Sequence, residues 1–213
     1  MEVNEPLLRM EHPPPTKYKK KGFLLPSFLL KVALFIVILI LSIHLSNFNP
    51  GNPENLNRQE TIREIAEVLE RHQTGLDNAT KEELAEAIYE EAIYYNHDPK
   101  FILALIAIES SFQNGSVSDQ GAKGLMQLMP YVAQSLAQEL SIEWRGDHTL
   151  FDPFINIRMG IYYLSQLILD FDDLTVALAA YNYGPTYVKG LIEKKKRIPD
   201  HFYHRVLTVY QTL

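Results

Sequence analysis

Residues 101–112 carry the strongest fold signal of this sequence and read FILALIAIESSF. All eight residues before Glu109 are apolar, and a helix that is apolar on every side is typically buried. Asp98 and Pro99 stand just ahead, as an N-cap residue followed by a proline at the first helical position. The sequence therefore predicts a buried helix whose last turn carries a carboxylate.

Glu109 is a candidate catalytic residue because of this position. Burial disfavours the charged form of a carboxyl group, so it raises the pKa towards the range that a general acid needs near neutral pH. The alternative is an ordinary helix end at which a charged side chain turns out to solvent. The spacing of the residues alone leaves both interpretations open.

Further helices are predicted on both sides of this segment. Thr61 and Thr80 are each followed three residues later by a glutamate, which is the spacing of a capping box. Asp152-Pro153 repeats the N-cap device before a helix that runs to about residue 170. An apolar helix over 174–183 and short helices near 186–196 and 201–212 complete the pattern. No alternating strand pattern or internal repeat is present, so we predict an all-α fold with a single helical domain over residues 61–213.

The N-terminal part of the chain has the pattern of a membrane anchor. Residues 23–45 form a mostly apolar stretch that is long enough to cross a bilayer as a transmembrane helix. Four lysines precede this stretch within residues 17–21, and no positive charge follows it closely, so we expect the N-terminus in the cytoplasm. We interpret residues 1–22 as a basic tail, 23–45 as a transmembrane signal anchor and 46–60 as a linker. The alternative is a cleavable signal peptide, which would also export the domain.

Composition excludes several classes of function. The chain has no cysteine, so it has no thiol nucleophile and no thiolate metal site. Residues 47–213 carry a net charge of −9, and such an acidic body argues against nucleic acid as a partner. The seven histidines show no spacing typical of zinc ligands, so we expect no metal.

Two further segments carry polar groups within apolar surroundings. Residues 121–130 read GAKGLMQLMP, a glycine-rich loop that contains Gln127 and ends at the start of a helix. Residues 179–185 read AAYNYGP and end an apolar helix with two tyrosines and Asn182. Each segment taken alone is better explained as a tight turn or as part of the core than as a functional site. Together with ESSF at 109–112 and LFDPFINIRMG at 150–160, however, they form an ordered set of four blocks.

This set resembles the lytic transglycosylase domain of the soluble-lytic-transglycosylase type, over about residues 85–210. The resemblance implies a lysozyme-like, mostly helical fold that requires no metal or cofactor. It also implies cleavage of the MurNAc–GlcNAc β-1,4 bond of peptidoglycan with formation of a 1,6-anhydro-MurNAc end. The partners would be peptidoglycan glycan strands on the outer face of the cytoplasmic membrane.

The resemblance also implies roles for individual residues. Glu109 matches the catalytic glutamate. The positions implied to bind substrate are Ser110, Ser118, Gln127, Met129, Tyr181 and Asn182. The sequence departs from the family pattern at Tyr183, where a small residue is common, and over residues 199–205. A muramidase of the same fold, or an inactive glycan-binding module, remains an alternative function.

Overall fold

The computed structural model describes residues 31–32, 34–40 and 53–213, which belong to two separate units, Met1–Asn49 and Pro50–Leu213. In the first unit the described residues are helical. Most of the predicted anchor over 23–45 lies outside the described residues. Within the described ranges, no helix is both long and apolar enough to cross a membrane.

The second unit is helical throughout, which confirms the all-α prediction. Residues 53–213 contain no β-strand, only two isolated bridges that join Lys123 to Val117 and to Leu128. A short 3₁₀ helix lies at Asp147–Phe151. The α-helices are α1 Pro53–Glu70, α2 Asn78–Tyr94, α3 Pro99–Ser110, α4 Pro130–Glu139, α5 Pro153–Phe171, α6 Leu174–Tyr183, α7 Pro185–Glu193 and α8 His201–Thr212.

The first two helices start earlier than predicted. Helix α1 begins at Pro53, so the predicted linker over 46–60 is wrong from residue 53 onward, and the helical domain begins before residue 61. Pro53 stands at the first helical position, where proline is favoured, and Arg58 further along α1 forms ion pairs with Glu86 and Glu90 of α2. Thr61 is not an N-cap, since it lies inside α1 and donates its hydroxyl proton to a backbone carbonyl one turn earlier.

Helix α2 has a different cap from the one predicted. It begins at Asn78 and not at Thr80, because Asp77 is the N-cap residue. The Asp77 carboxylate accepts a hydrogen bond of 2.8 Å from the Thr80 backbone N–H. That N–H is one of the free donors at the helix start, and the Asp77 carboxylate satisfies it directly.

The remaining helix starts agree with the sequence pattern. Asp98 caps α3, accepting a hydrogen bond of 2.9 Å from the Lys100 N–H, and Asp152 caps α5 through the N–H groups of its second and third residues. Helix α6 has the predicted bounds. The starts of α3 and α5 agree because a capping residue followed by proline fixes a helix start locally. Helix α6 is capped by Asp173 without a following proline.

Helix α3 lies at the centre of the core, as its apolar sequence predicts. Residues 101–106 are all buried and pack against apolar side chains of α1, α2, α5 and α8. The helix ends because Ser111 and Phe112 adopt left-handed backbone angles, with φ of 52° and 64°. Phe112 is itself buried against the His72 ring. The end of α3 is thus fixed, and with it the position of Glu109.

Candidate active site

The glycine-rich loop ahead of α4 is fastened to α5 by one buried amide. Asn156 is fully buried, and its Oδ1 accepts a hydrogen bond of 2.8 Å from the Met126 N–H. Its Nδ2 donates to the carbonyls of Lys123 and Leu150, each at 3.0 Å. Gly124 packs directly against this amide at φ +82°, and a Cβ there would overlap the Asn156 side chain and the Leu150 carbonyl. Only glycine therefore fits at this position.

Asn156→Leu is expected to lower the free energy of unfolding by about 3 kcal/mol or more. Leucine has a similar size but removes the hydrogen bonds to the Met126 N–H and the Leu150 carbonyl, and each buried unpaired group costs about 1–3 kcal/mol. The Lys123 carbonyl keeps its bond from the Leu128 N–H. Urea denaturation followed by circular dichroism measures the loss. Asn78→Leu, at an exposed position of α2, is the control and should change stability by less than about 0.5 kcal/mol. An equal, small effect of both substitutions would contradict this role of Asn156.

The same loop is joined to α6 through Tyr181. The Tyr181 hydroxyl donates a hydrogen bond of 2.8 Å to the Met126 carbonyl, and its ring lies 5.4 Å from the ring of Tyr163 on α5. Burial raises the pKa of Tyr181 well above its ordinary value, and the nearby charge of Glu109 raises it further. The phenol therefore stays protonated and links α6 to the loop beside Glu109.

A groove of about 260 Å³ opens between this loop, α4, α5 and the end of α6. Its lining combines aromatic rings, amides and small apolar surfaces, and it contains no Asp, Glu, Lys or Arg. The lining residues are Gln120, Gln127, Leu128, Met129, Tyr131, Val132, Tyr163, Tyr181, Asn182, Tyr183 and Gly184. Four larger cavities, of about 370 to 530 Å³, contain none of the predicted site residues, and two of them are lined mainly by α1.

Glu109 is a carboxyl group close to Tyr181 of this groove, and its pKa is strongly raised. Its side chain is partly buried at the end of α3, and burial raises its pKa to about 8, although Arg205 opposes this rise. Within residues 53–213 the carboxyl group of Glu109 has no hydrogen-bond or ion-pair partner that would hold it in the charged form. At neutral pH the group is therefore mostly protonated and can donate a proton.

Four of the six predicted substrate-binding residues lie in the groove, namely Gln127, Met129, Tyr181 and Asn182. Gln127 adopts φ +49°, and its side-chain amide donates to the carbonyls of Ser116 and Gly124. These bonds hold the loop closed and leave the amide oxygen without a partner among the described residues. For these four residues, contact with a sugar stays a prediction.

The other two predicted substrate-binding residues, Ser110 and Ser118, lie outside the groove lining. Ser110 is buried, and its hydroxyl donates a 3.2 Å hydrogen bond to the Ile106 carbonyl within α3. The Ser118 hydroxyl accepts a 3.0 Å bond from the Ala122 N–H and so closes the turn that leads into the loop. Neither serine lines the groove. In the structure, each serine hydroxyl forms a hydrogen bond with the local backbone instead. Their contact with substrate also stays a prediction.

Sequence reasoning missed several groove residues. Gln120, Tyr131, Tyr163 and Tyr183 line it alongside the predicted ones. Tyr131 directly follows the proline at the start of α4, where an exposed tyrosine could have indicated a groove residue. Tyr163 lies about two helical turns after Asn156 on the same helix, and burial raises its pKa to about 12. Their common location depends on the packing of three helices and cannot be read from spacing.

The fold and the site together define a class of protein. The second unit combines a mostly helical fold with a desolvated carboxyl group close to a groove of tyrosines and amides. Residues 86–201, more than half of the chain, match the family described as Transglycosylase SLT domain. The chain belongs to this family.

Individual relatives agree with this assignment. The transglycosylase of Enterobacteria phage PRD1 is 35% identical over 99 residues, which cover 46% of this chain and 34% of the relative. Membrane-bound lytic murein transglycosylase C of Photorhabdus laumondii is 31% identical over 138 residues, covering 59% of this chain and 39% of the relative. The chain thus spans about a third of the length of these proteins.

A solved structure has the same fold. The 70 kDa soluble lytic transglycosylase from Escherichia coli matches with a TM-score of 0.50 and 22% identity, over 72% of this chain and 27% of that one. This likeness concerns the fold alone. It confirms the lysozyme-like, mostly helical architecture that the four sequence blocks imply.

Proposed function

We propose that this chain is a peptidoglycan lytic transglycosylase that cleaves the MurNAc–GlcNAc β-1,4 bond and leaves a 1,6-anhydro-MurNAc end. The observation that carries the proposal is Glu109, a carboxyl group with a pKa of about 8 at the end of a buried helix. Its charge acts on Tyr181, which lines a groove whose tyrosines and amides can receive sugar rings. Membership of the Transglycosylase SLT domain family supports the same reaction.

The mechanism uses Glu109 twice. The protonated carboxyl group donates its proton to the glycosidic oxygen as the bond from MurNAc C1 to that oxygen breaks, which releases the GlcNAc hydroxyl. The resulting carboxylate then takes the proton of the MurNAc 6-hydroxyl, whose oxygen forms the new bond to C1. Glu109 ends the cycle protonated again, so atoms and charges balance.

The composition of the groove favours this route over hydrolysis. Glycosidases of most families use a second carboxylate, as a nucleophile or to activate water. None of the groove-lining residues is an Asp or a Glu. An attacking hydroxyl within the same sugar needs no such residue, because its tethering supplies a high effective concentration. A muramidase would need a second group to orient water.

Tyr181 supports the position of the reaction centre. Its hydroxyl is engaged by the Met126 carbonyl, and its ring closes the groove on the side of Glu109. Asn156 of α5 also bonds to the backbone of Met126, through its N–H. Helices α5 and α6 therefore both fix the position of this loop residue. A rigid wall of this kind keeps a bound sugar at a constant distance from the acid.

Location follows from the N-terminal segment, and we propose that residues 23–45 anchor the domain to the outer face of the cytoplasmic membrane. The basic residues before this segment favour a cytoplasmic N-terminus. A relative that is 31% identical is itself named a membrane-bound lytic murein transglycosylase. The domain would then act on glycan strands within reach of the segment that joins it to the anchor.

Digestion of purified peptidoglycan tests the reaction. We expect the full-length chain to release muropeptides with 1,6-anhydro-MurNAc ends, which mass spectrometry distinguishes because each lacks one water relative to a reducing end. Reducing ends would instead establish a muramidase. Binding to peptidoglycan without any soluble product would establish an inactive glycan-binding module.

A further inference from the structure

Three exposed aromatic rings continue the groove beyond Asn182. Tyr183, at the end of α6, lines the groove, and its ring centroid lies 5.9 Å from that of Tyr187 on α7. On its other side, the His201 ring at the start of α8 is also 5.9 Å away. We refer to Tyr183, Tyr187 and His201 as the aromatic rim.

The rim takes no part in the core of the domain. Tyr183 and Tyr187 are 37% and 53% exposed, and His201 is exposed as well. None of the three belongs to the buried apolar clusters that residues 53–213 form, or packs against them. A contiguous exposed patch of aromatic rings typically marks a binding surface, because it exposes apolar area to water without contributing to folding.

The geometry of the rim is fixed before any ligand binds. The Tyr183 hydroxyl lies 3.1 Å from Nδ1 of His201, so a hydrogen bond joins the end of α6 to the start of α8. Gly184, at φ +90°, turns the chain between Tyr183 and α7 and brings Tyr187 to the same side. Rings held in this way lose little conformational entropy on binding.

We propose that the aromatic rim is an additional sugar-binding subsite, which packs against the apolar face of an N-acetylhexosamine residue in a β-1,4-linked strand. The neighbouring residues of that strand would fill the groove. This inference rests on the proposed function, because it assigns to the groove a glycan of several sugars. The rim would thus set how long a strand must be for tight binding.

The chemistry of the surface favours a glycan over other polymers. A pyranose ring offers a face of C–H groups to an aromatic ring and hydroxyl and acetamido groups at its edge. Asn182, Gln120 and Gln127 lie along the groove next to the rim and can form hydrogen bonds with such groups. A nucleic acid could also stack on the rings, but the groove has no lysine or arginine to meet its phosphates.

Affinity as a function of strand length tests the subsite. The full-length chain would carry Glu109→Gln to prevent turnover, and the probes are oligomers of alternating N-acetylglucosamine and N-acetylmuramic acid of increasing length, measured by isothermal titration calorimetry. We expect that adding Tyr183→Ala or Tyr187→Ala weakens binding of the longest oligomer about tenfold, as loss of one stacking contact implies, and leaves the shortest unchanged.

Two further variants serve as controls. Tyr183→Phe keeps the ring and should retain most of the affinity. Tyr94→Ala removes a tyrosine that is 78% exposed but lies at the end of α2 beside Glu90, Glu91 and Arg158, and it should have no effect. Thermal denaturation monitored by circular dichroism verifies that each variant is folded.

The outcomes separate this inference from the proposed function. If Tyr183→Ala and Tyr187→Ala bind the longest oligomer as tightly as the parent chain does, the rim is not a subsite, and the glycan assignment stands. If the parent chain binds no oligomer of any length, the glycan assignment itself fails, and the subsite fails with it.

Discussion

Glu109→Gln is expected to lower kcat on peptidoglycan by about a thousandfold or more while the domain stays folded and binds glycan. Glutamine has nearly the same shape but can neither donate a proton to the glycosidic oxygen nor accept one from the 6-hydroxyl. General acid–base catalysis contributes about 10²–10⁴-fold, and here one residue carries both proton transfers. Release of anhydro-muropeptides over time measures the rate, and sedimentation with insoluble peptidoglycan measures binding.

Glu91→Gln is a matched control for this substitution. Glu91 of α2 is also partly buried, and burial raises its pKa as well, but it pairs with Arg158 and lines a different cavity. A raised pKa alone would therefore predict the same role for both residues. We expect Glu91→Gln to retain turnover close to that of the unmodified chain. Turnover at the unmodified rate by Glu109→Gln would overturn the assignment of Glu109.

The difference between these two glutamates explains why the burial and raised pKa of Glu109 could be predicted from the sequence. Eight apolar residues lead into Glu109, and a helix of that composition has to be buried, so its last turn has to lie close to the core. The N-cap Asp98 and Pro99 fix where that helix starts. Glu91 lies in an amphipathic helix whose sequence gives no comparable indication of burial.

Other features could not be predicted because they arise from tertiary packing. The ion pairs between Arg58 of α1 and two glutamates of α2 join residues far apart in the chain. The groove receives Tyr131, Tyr163 and Tyr183 from three different helices. No spacing along the chain connects these residues, and each of them taken alone resembles an ordinary amphipathic tyrosine.

Asn156 shows how structure and site depend on each other. Asn156 lies in one of the four blocks that resemble the lytic transglycosylase domain. A single amide in a helix, however, does not by itself indicate a role in the site. In the structure the Asn156 side chain accepts a hydrogen bond from the Met126 N–H. The Met126 carbonyl in turn accepts a hydrogen bond from the Tyr181 hydroxyl. The groove wall beside Glu109 is therefore built on a fully buried polar group, which explains why the wall can be rigid.

Raising the pH through about 8 is expected to lower both the activity and the stability of the domain, because it ionises Glu109. The proposed first step needs the protonated carboxyl group, whose pKa is about 8. Above that value kcat/KM should fall about tenfold per pH unit, since the protonated fraction falls by that factor. Initial rates of anhydro-muropeptide release between pH 6 and about 10 measure the profile. A rate that stays constant across this range would contradict Glu109 as the acid.

The stability effect has a definite sign. The pKa of Glu109 is raised from 4.5 in its ordinary state to about 8 in the folded chain, so between these values the folded state holds a proton that the unfolded state has lost. Its contribution to stability is complete below pH 4.5 and is lost as the pH rises through 8. The loss amounts to at most about 5 kcal/mol, from 1.36 kcal/mol per pKa unit.

Urea denaturation at pH 5 and pH 9, carried out on the unmodified chain and on Glu109→Gln, isolates this contribution. Every other titrating group is common to both chains, so its effect cancels in the difference between them. We expect the unmodified chain to lose several kcal/mol more than Glu109→Gln on going from pH 5 to pH 9. Glutamine places no charge at the end of α3 at either pH, so the substitution should stabilise the domain at pH 9. An identical pH dependence for both chains would mean that the folded domain does not hold Glu109 in the protonated form, and the proposed acid would then lack its physical basis.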